Sequence, residues 1–271
     1  MNVKAKILEY YGYIAALIVG LTLGLIGAGG SILTVPVFVY LFGIDATDTA
    51  PAYSLFVVGF SSLIGVIIKS RQKEVNFKMA LFFGIPTVIA IFFTRKYLVP
   101  AIPDQLFHIG TFVITKRLLI MGVFAIVMIV VALVMIKGSH IVNDIKLNQK
   151  NYILNFIAGL GIGSLTGLVG AGGGFIIIPA IIKIGKLSMK IAIGTSLAIV
   201  TMNSFVGFIG SLGEIVVDWN FLLPYTFIAG VGICIGIFLA QKIEGAQLKK
   251  GFAYFILSMG ILILIKEIII Q

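Results

Sequence analysis

The sequence predicts an all-α polytopic membrane protein built of two related halves, each opening with a helix broken or re-entrant at a glycine turn. Three observations predict it. Only 11% of the 271 residues are charged and 60% are hydrophobic, with a mean hydropathy of +1.17, whereas a soluble domain carries about 25% charged residues. So few charges cannot cover a water-facing surface. Second, the charges that exist sit between long apolar windows. Third, a glycine motif near the start of the chain recurs past its middle.

Eight long windows lack Asp, Glu, Lys and Arg: residues 10–44, 49–68, 79–94, 118–136, 151–182, 191–213, 219–241 and 251–265. A spanning helix needs about 20 apolar residues. Six windows fit one helix each, the two short ones completed by snorkelling ends such as Arg95 and Lys250. Windows 10–44 and 151–182 are too long for one straight helix. The start of the chain could pass for a signal peptide, but the same segment recurs in mid-chain, where no signal peptide can be.

The net charge of +10 falls in the segments between windows. That is where the positive-inside rule expects cations, so nucleic acid is not an expected partner. The single cysteine, Cys234, can form no intrachain disulfide, and His108 and His140 lie outside the apolar windows. No metal cluster, cofactor or enzymatic activity is therefore expected. Gly59-Phe60-Ser61 offers a serine with no histidine partner in a span.

The two long windows match each other. Gly24-Leu25-Ile26-Gly27-Ala28-Gly29-Gly30 aligns with Gly167-Leu168-Val169-Gly170-Ala171-Gly172-Gly173, and Pro36 with Pro179. One residue fewer in the offset aligns Tyr53-Ser54-Leu55 with Thr195-Ser196-Leu197, Ser61-Ser62 with Asn203-Ser204, and Asn76-Phe77 with Asp218-Trp219. The chain divides into a first half, 1–137, a linker, 138–150, and a second half, 151–271, within one integral-membrane domain. If each long window enters and leaves on one side, the cationic stretches 69–78, 137–150, 183–190 and 242–250 share one face. The acidic stretch 214–218 takes the other. That arrangement is one of inverted repeats.

Glycines break helices, and the prolines behind them break the ladder further. Broken backbone at membrane depth is tolerated only against protein or a wet cavity, and paired breaks in two halves point to a transporter site. Exposed amides at a half-helix N-terminus suit an anion. The candidate site is Gly27, Gly29, Gly30 and Ser31 in one turn, and Gly170, Gly172 and Gly173 in the other. Tyr53, Ser54, Thr195, Ser196 and Asn203 on the following helices complete it. The two turns are expected to converge in mid-bilayer. No Lys or Arg lies deep in a window, so neutral dipoles are expected to hold the ligand. The ridges Ala16, Gly20, Gly24, Ala28 and Gly159, Gly163, Gly167, Ala171 read as close helix packing. Gly172→Leu, which blocks an amide, is expected to impair transport more than Gly163→Ala.

At the doubled Gly24–Gly30 and Gly167–Gly173 motif, with Pro36, Pro179 and Ile193-Gly194-Thr195-Ser196-Leu197, the sequence resembles the TauE/SafE family. The resemblance covers almost the whole chain. It implies a multi-pass transporter of the cell (inner) membrane that exports small anions such as sulfite or organosulfonates. The partners implied are a small anionic solute and the lipid bilayer; a homo-oligomer stays open. An anion channel or a non-transporting membrane subunit are the alternatives.

Overall fold

The computed structural model describes residues 3–27, 29–103, 105–109, 112–137, 152–170, 172–185 and 187–269; Ala28, Ala171 and the linker 138–150 lie outside them. The chain runs α1 (Val3–Ile26), α2 (Gly29–Tyr40), α3 (Thr49–Arg71) and α4 (Phe77–Phe93). A π-helical turn, Thr94–Leu98, continues α4 into the single turn α5 (Val99–Ala101). A short antiparallel hairpin follows, β1 (Gln105–Ile109) with β2 (Phe112–Thr115), an element that a search for apolar windows passes over. Then come α6 (Lys116–Lys137), α7 (Tyr152–Val169), α8 (Gly174–Gly185), α9 (Met189–Ser211), α10 (Trp219–Gln241) and α11 (Gly245–Ile269). Among the described residues, six helices are long and apolar enough to cross a membrane. The protein is all-α and polytopic.

Both long windows are broken where glycine permits it. Gly27 ends α1 at φ +75° and Gly170 ends α7 at φ +72°, a left-handed backbone that side chains with a Cβ rarely adopt. Each closes its helix with one backbone bond, Gly27 N–H to Leu23 O at 2.7 Å and Gly170 N–H to Thr166 O at 2.9 Å. Beyond the break the chain doubles back. In the first hairpin Gly30 lies against Val19 and Leu23, while Phe42, just past α2, meets Gly12. In the second, α7 runs alongside α4, with Gly159 beside Pro86 and Gly167 beside Thr94. The end of α8 returns to the start of α4, where Gly185 meets Met79.

Helix pairing is reciprocal between the segments that align in sequence. α1 packs on α10 and α7 on α4; α3 crosses α9, and α6 packs on α11. The small-residue ridges make the first two contacts. A Cβ on Gly24 would lie 2.9 Å from Gly236 Cα, and one on Gly236 would lie 3.0 Å from Gly24 Cα. Gly163 approaches Thr87 as closely, a Cβ there falling 2.8 Å from its Cα. This is small-residue packing, which lets backbones touch in lipid. The α3–α9 crossing is antiparallel, Ser62 meeting Thr201 and Gly59 meeting Ser204.

The two ends of the bundle differ in charge. At one end the 72–76 loop touches the start of α9, with Asn76 N–H donating to Thr195 Oγ1 at 3.0 Å and Glu74 against Gly194. Lys190 Nζ reaches Gln241 O at the end of α10. This end carries Lys69, Arg71, Lys73, Lys78, Lys190 and Lys242. The other end carries Asp48 paired with Lys116 and Glu267 paired with Arg117. There α2 is held by Tyr40 O–H donating to Glu267 at 2.8 Å, and by Phe38 against Tyr225, ring centroids 4.9 Å apart.

Lys69 is 2% exposed and its ammonium pairs with Glu74. Removing one partner of a buried pair leaves the other charge uncompensated. Glu74→Ala is therefore expected to destabilise the fold by about 3 kcal/mol, the low end for buried pairs because Glu74 is partly exposed. Lys69→Met, which removes the buried charge itself, should cost far less. Unfolding of the two purified variants in detergent compares them.

Candidate site at the second glycine turn

The two glycine turns are not equivalent in their surroundings. A Cβ on Gly27 would sit 2.8 Å from Ile193 Cγ2 and 3.0 Å from Ile193 Cα, and one on Gly30 would sit 2.6 Å from Leu23 Cβ. These two glycines of the first turn are packed against aliphatic side chains and backbone. Gly29 and Ser31 fall in the first turn of α2, and their immediate surroundings are not among the described ones.

The second turn meets polar atoms. A Cβ on Gly172 would lie 2.9 Å from Ser204 Oγ, with Val200 Cγ1 at 3.1 Å and Val58 Cγ1 at 3.5 Å. One on Gly173 would collide with the Thr166 hydroxyl, and one on Gly170 with Pro51 and the Arg95 guanidinium. Pro51, Ser54 and Val58 share one face of α3, since residues three and four apart are neighbours on a helix. Ser54 thus lies between the two α3 residues that touch the turn.

The polar atoms here are short of partners. The hydroxyls of Ser54, Thr166 and Ser204, Asn203 Nδ2, and Arg95 Nε and Nη2 are all buried with no hydrogen bond among the described residues. Buried polar groups are almost always paired, so such a group asks for an explanation. Backbone donors add to the set. The ladder of α8 begins with Ile176 and Ile177 donating to Gly173 O at 3.0 and 3.1 Å. The N–H groups before them precede the ladder, as at every helix start.

The remaining expected residues are engaged elsewhere. Tyr53 O–H donates to Val216 O at 3.3 Å and accepts from Asp218 N–H at 2.6 Å. Thr195 does the corresponding job for Asn76. These two hydroxyls clamp the loops that lead into α10 and α4. The loops are capped by Asp218 and Asn76, whose side chains accept from the first helical amides. Ser196 Oγ donates to Ile193 O at 2.8 Å in its own helix and approaches Gly27 O at 3.5 Å. Ser62 likewise bonds back to Val58 O. Asn203 keeps one amide end occupied, Oδ1 accepting from Thr87 Oγ1 at 2.9 Å, and leaves its NH2 free.

Three features differ from the expectations. Gly27 lies against Ile193 near the start of α9 and Gly170 against Pro51 near the start of α3, at opposite ends of the antiparallel α3–α9 pair. These two glycines therefore do not meet in mid-bilayer; among the turn glycines whose surroundings are described, Gly172 is the one that reaches the crossing at Ser204 and Val58. Arg95 does not snorkel: it is 3% exposed, because the π turn directs it inward against Gly170. Thr166, one position before a ridge glycine, is the other polar side chain at the turn that the sequence reading passes over.

The family described as Sulfite exporter TauE/SafE matches residues 13–263. The chain belongs to that family. It is 30% identical to a protein of Methanocaldococcus jannaschii named "Probable membrane transporter protein", over 93% of this chain and 94% of the relative. A protein of the same name from Xylella fastidiosa is 24% identical over 91% of each chain. "Probable membrane transporter protein YdhB" of Bacillus subtilis is 28% identical over 86% of this chain and 89% of the relative. No solved structure matches the chain. As a TauE/SafE protein with six apolar spans, the chain is a multi-pass membrane transporter.

Proposed function

We propose that this TauE/SafE protein exports small anions such as sulfite or organosulfonates across the cell (inner) membrane and holds them at the turn formed by Gly170, Gly172 and Gly173. The observation that carries the reading is the set of buried donors without partners at that turn, Thr166, Ser204 and Arg95, with Asn203 beside Ser204 on α9 and Ser54 between Pro51 and Val58 on α3. Every member offers a proton, and no carboxylate is in the set. An acceptor-rich solute completes it, whereas the Arg95 charge repels a cation. The family's description as sulfite exporter is consistent with that chemistry.

In this reading the halves 1–137 and 151–271 are inverted repeats, and the reciprocal pairing of α1 with α10 and α7 with α4 supports it. The lysine-rich end with Lys69, Arg71, Lys73, Lys78, Lys190 and Lys242 faces the cytoplasm, by the positive-inside rule. The first turn, packed against Ile193, serves as a hinge in the hairpin rather than a ligand contact.

The test is flux in proteoliposomes with radiolabelled sulfite. Saturable uptake that accelerates when unlabelled sulfite is loaded inside is the expected result. Flux that rises linearly with concentration and shows no such exchange would mark a channel, and no flux of sulfite or any sulfonate would contradict the reading.

A further inference from the structure

Four charged side chains are buried among the described residues: Lys69, Arg95, Lys116 and Glu267. Three have partners. Lys69 pairs with Glu74, Lys116 with Asp48, and Glu267 accepts from Tyr40 and Arg117. Arg95 has no such partner: Asp48 acts on it only at longer range, no ion pair forms, and two guanidinium nitrogens lack any hydrogen bond. A guanidinium cannot escape this by losing its proton, since it stays protonated in proteins. The backbone that carries it is also irregular. Thr94–Leu98 is a π turn inside an otherwise α-helical span, and such single-turn insertions are frequent at functional sites. The turn sets Arg95 Nη2 against Gly170, where the absence of a Cβ is what makes room for it.

We propose that Arg95 is the charge anchor of the site at the second glycine turn, and that the ligand it takes is a singly charged oxyanion, as a sulfonate or hydrogensulfite is. The inference rests on the anion-carrier reading above and names its substrate class. One cation balances one negative charge at low dielectric; a second charge on the ligand would stay uncompensated. The planar guanidinium fork matches two oxygens of such a head, here through Nε and Nη2. The remaining oxygen is left for one of the unpartnered donors, Thr166 or Ser204 at the turn, Asn203 next to Ser204, or Ser54 between Pro51 and Val58. The carboxylate whose charge acts on Arg95, Asp48, is already paired with Lys116, so the ammonium of a zwitterion gains no free partner there. Ethanesulfonate should therefore bind more tightly than taurine, which differs by that ammonium, and more tightly than doubly charged sulfate.

The experiment is a thermal-shift and Kd titration of the purified full chain in a neutral, lipid-free detergent, so that no headgroup phosphate supplies the oxyanion. Ethanesulfonate, taurine and sulfate are the probes; the proteins are wild type, Arg95→Gln and Arg95→Lys. The expected result has two parts that a merely structural arginine would not give together. Arg95→Gln raises the ligand-free Tm, because it removes an unpaired buried charge, and weakens ethanesulfonate binding at least about tenfold, the loss expected for a charge-assisted hydrogen bond. Arg95→Lys restores part of the affinity.

Wild type that binds ethanesulfonate while Arg95→Gln binds it equally well overturns the anchor and leaves the carrier reading standing. An Arg95→Gln variant with a lower ligand-free Tm makes Arg95 a structural residue and also overturns it. Taurine or sulfate binding more tightly than ethanesulfonate overturns the ligand class. Wild type that no oxyanion stabilises removes the carrier reading itself.

Discussion

Gly172→Leu is expected to abolish anion-dependent stabilisation and transport together. Two costs add at this position. Gly172 sits at φ +66°, where an L side chain costs about 1–2 kcal/mol. Its Cβ would also fall 2.9 Å from Ser204 Oγ and 3.1 Å from Val200 Cγ1, and overpacking of that kind costs about 1–3 kcal/mol. A leucine side chain there must either push α9 away or enter the space between Ser204 and the turn. Both outcomes remove the ligand's place. Binding of ethanesulfonate to the folded variant, and sulfite flux in proteoliposomes, check it. A folded Gly172→Leu protein with wild-type affinity would move the site elsewhere.

Gly24→Leu is expected to prevent the protein from accumulating in a folded state. Its Cβ would meet Gly236 Cα at 2.9 Å and Ile237 N at 2.7 Å, which are backbone atoms in a helix and cannot rotate aside. The only relief is to separate α1 from α10, which strips the first hairpin from its support. The cost belongs with the rare substitutions above about 4 kcal/mol. Size-exclusion profiles and Tm in detergent read this out, and the loss should be the same with and without anion. Gly163 is of the same kind, packed on the Thr87 backbone. Stability and ligand binding thus separate Gly163→Ala from Gly172→Leu better than the size of the transport defect does.

The spans and the breaks were legible in the sequence because both signals are local. Charge-free windows mark the helices, and glycine followed by proline marks the interruptions at 27 and 170. The ridge at Gly20 and Gly24 was legible too, since spacing alone gives its face. Arg95 was not, because its depth depends on a π turn and on the missing Cβ of a glycine 75 positions further along the chain. Tyr53 and Ser54 look alike as neighbouring hydroxyls. Only the fold brings the loop at Val216 and Asp218 to the first and the glycine turn to the second. The same holds for Ser62 and Ser204, aligned in sequence. One bonds back to its own helix and the other is left without a partner beside Gly172. Repetition in sequence predicts where two helices break, but not that Gly27 and Gly30 pack on aliphatic groups while Gly172 and Gly173 meet hydroxyls without partners.

The most direct measurement is an experimental density map of the purified protein in saturating ethanesulfonate. Density for one sulfonate is expected in contact with the Arg95 guanidinium and the Gly172–Gly173 backbone. A map with the guanidinium turned to a protein carboxylate and the sulfonate bound elsewhere would contradict an anion site at the second turn.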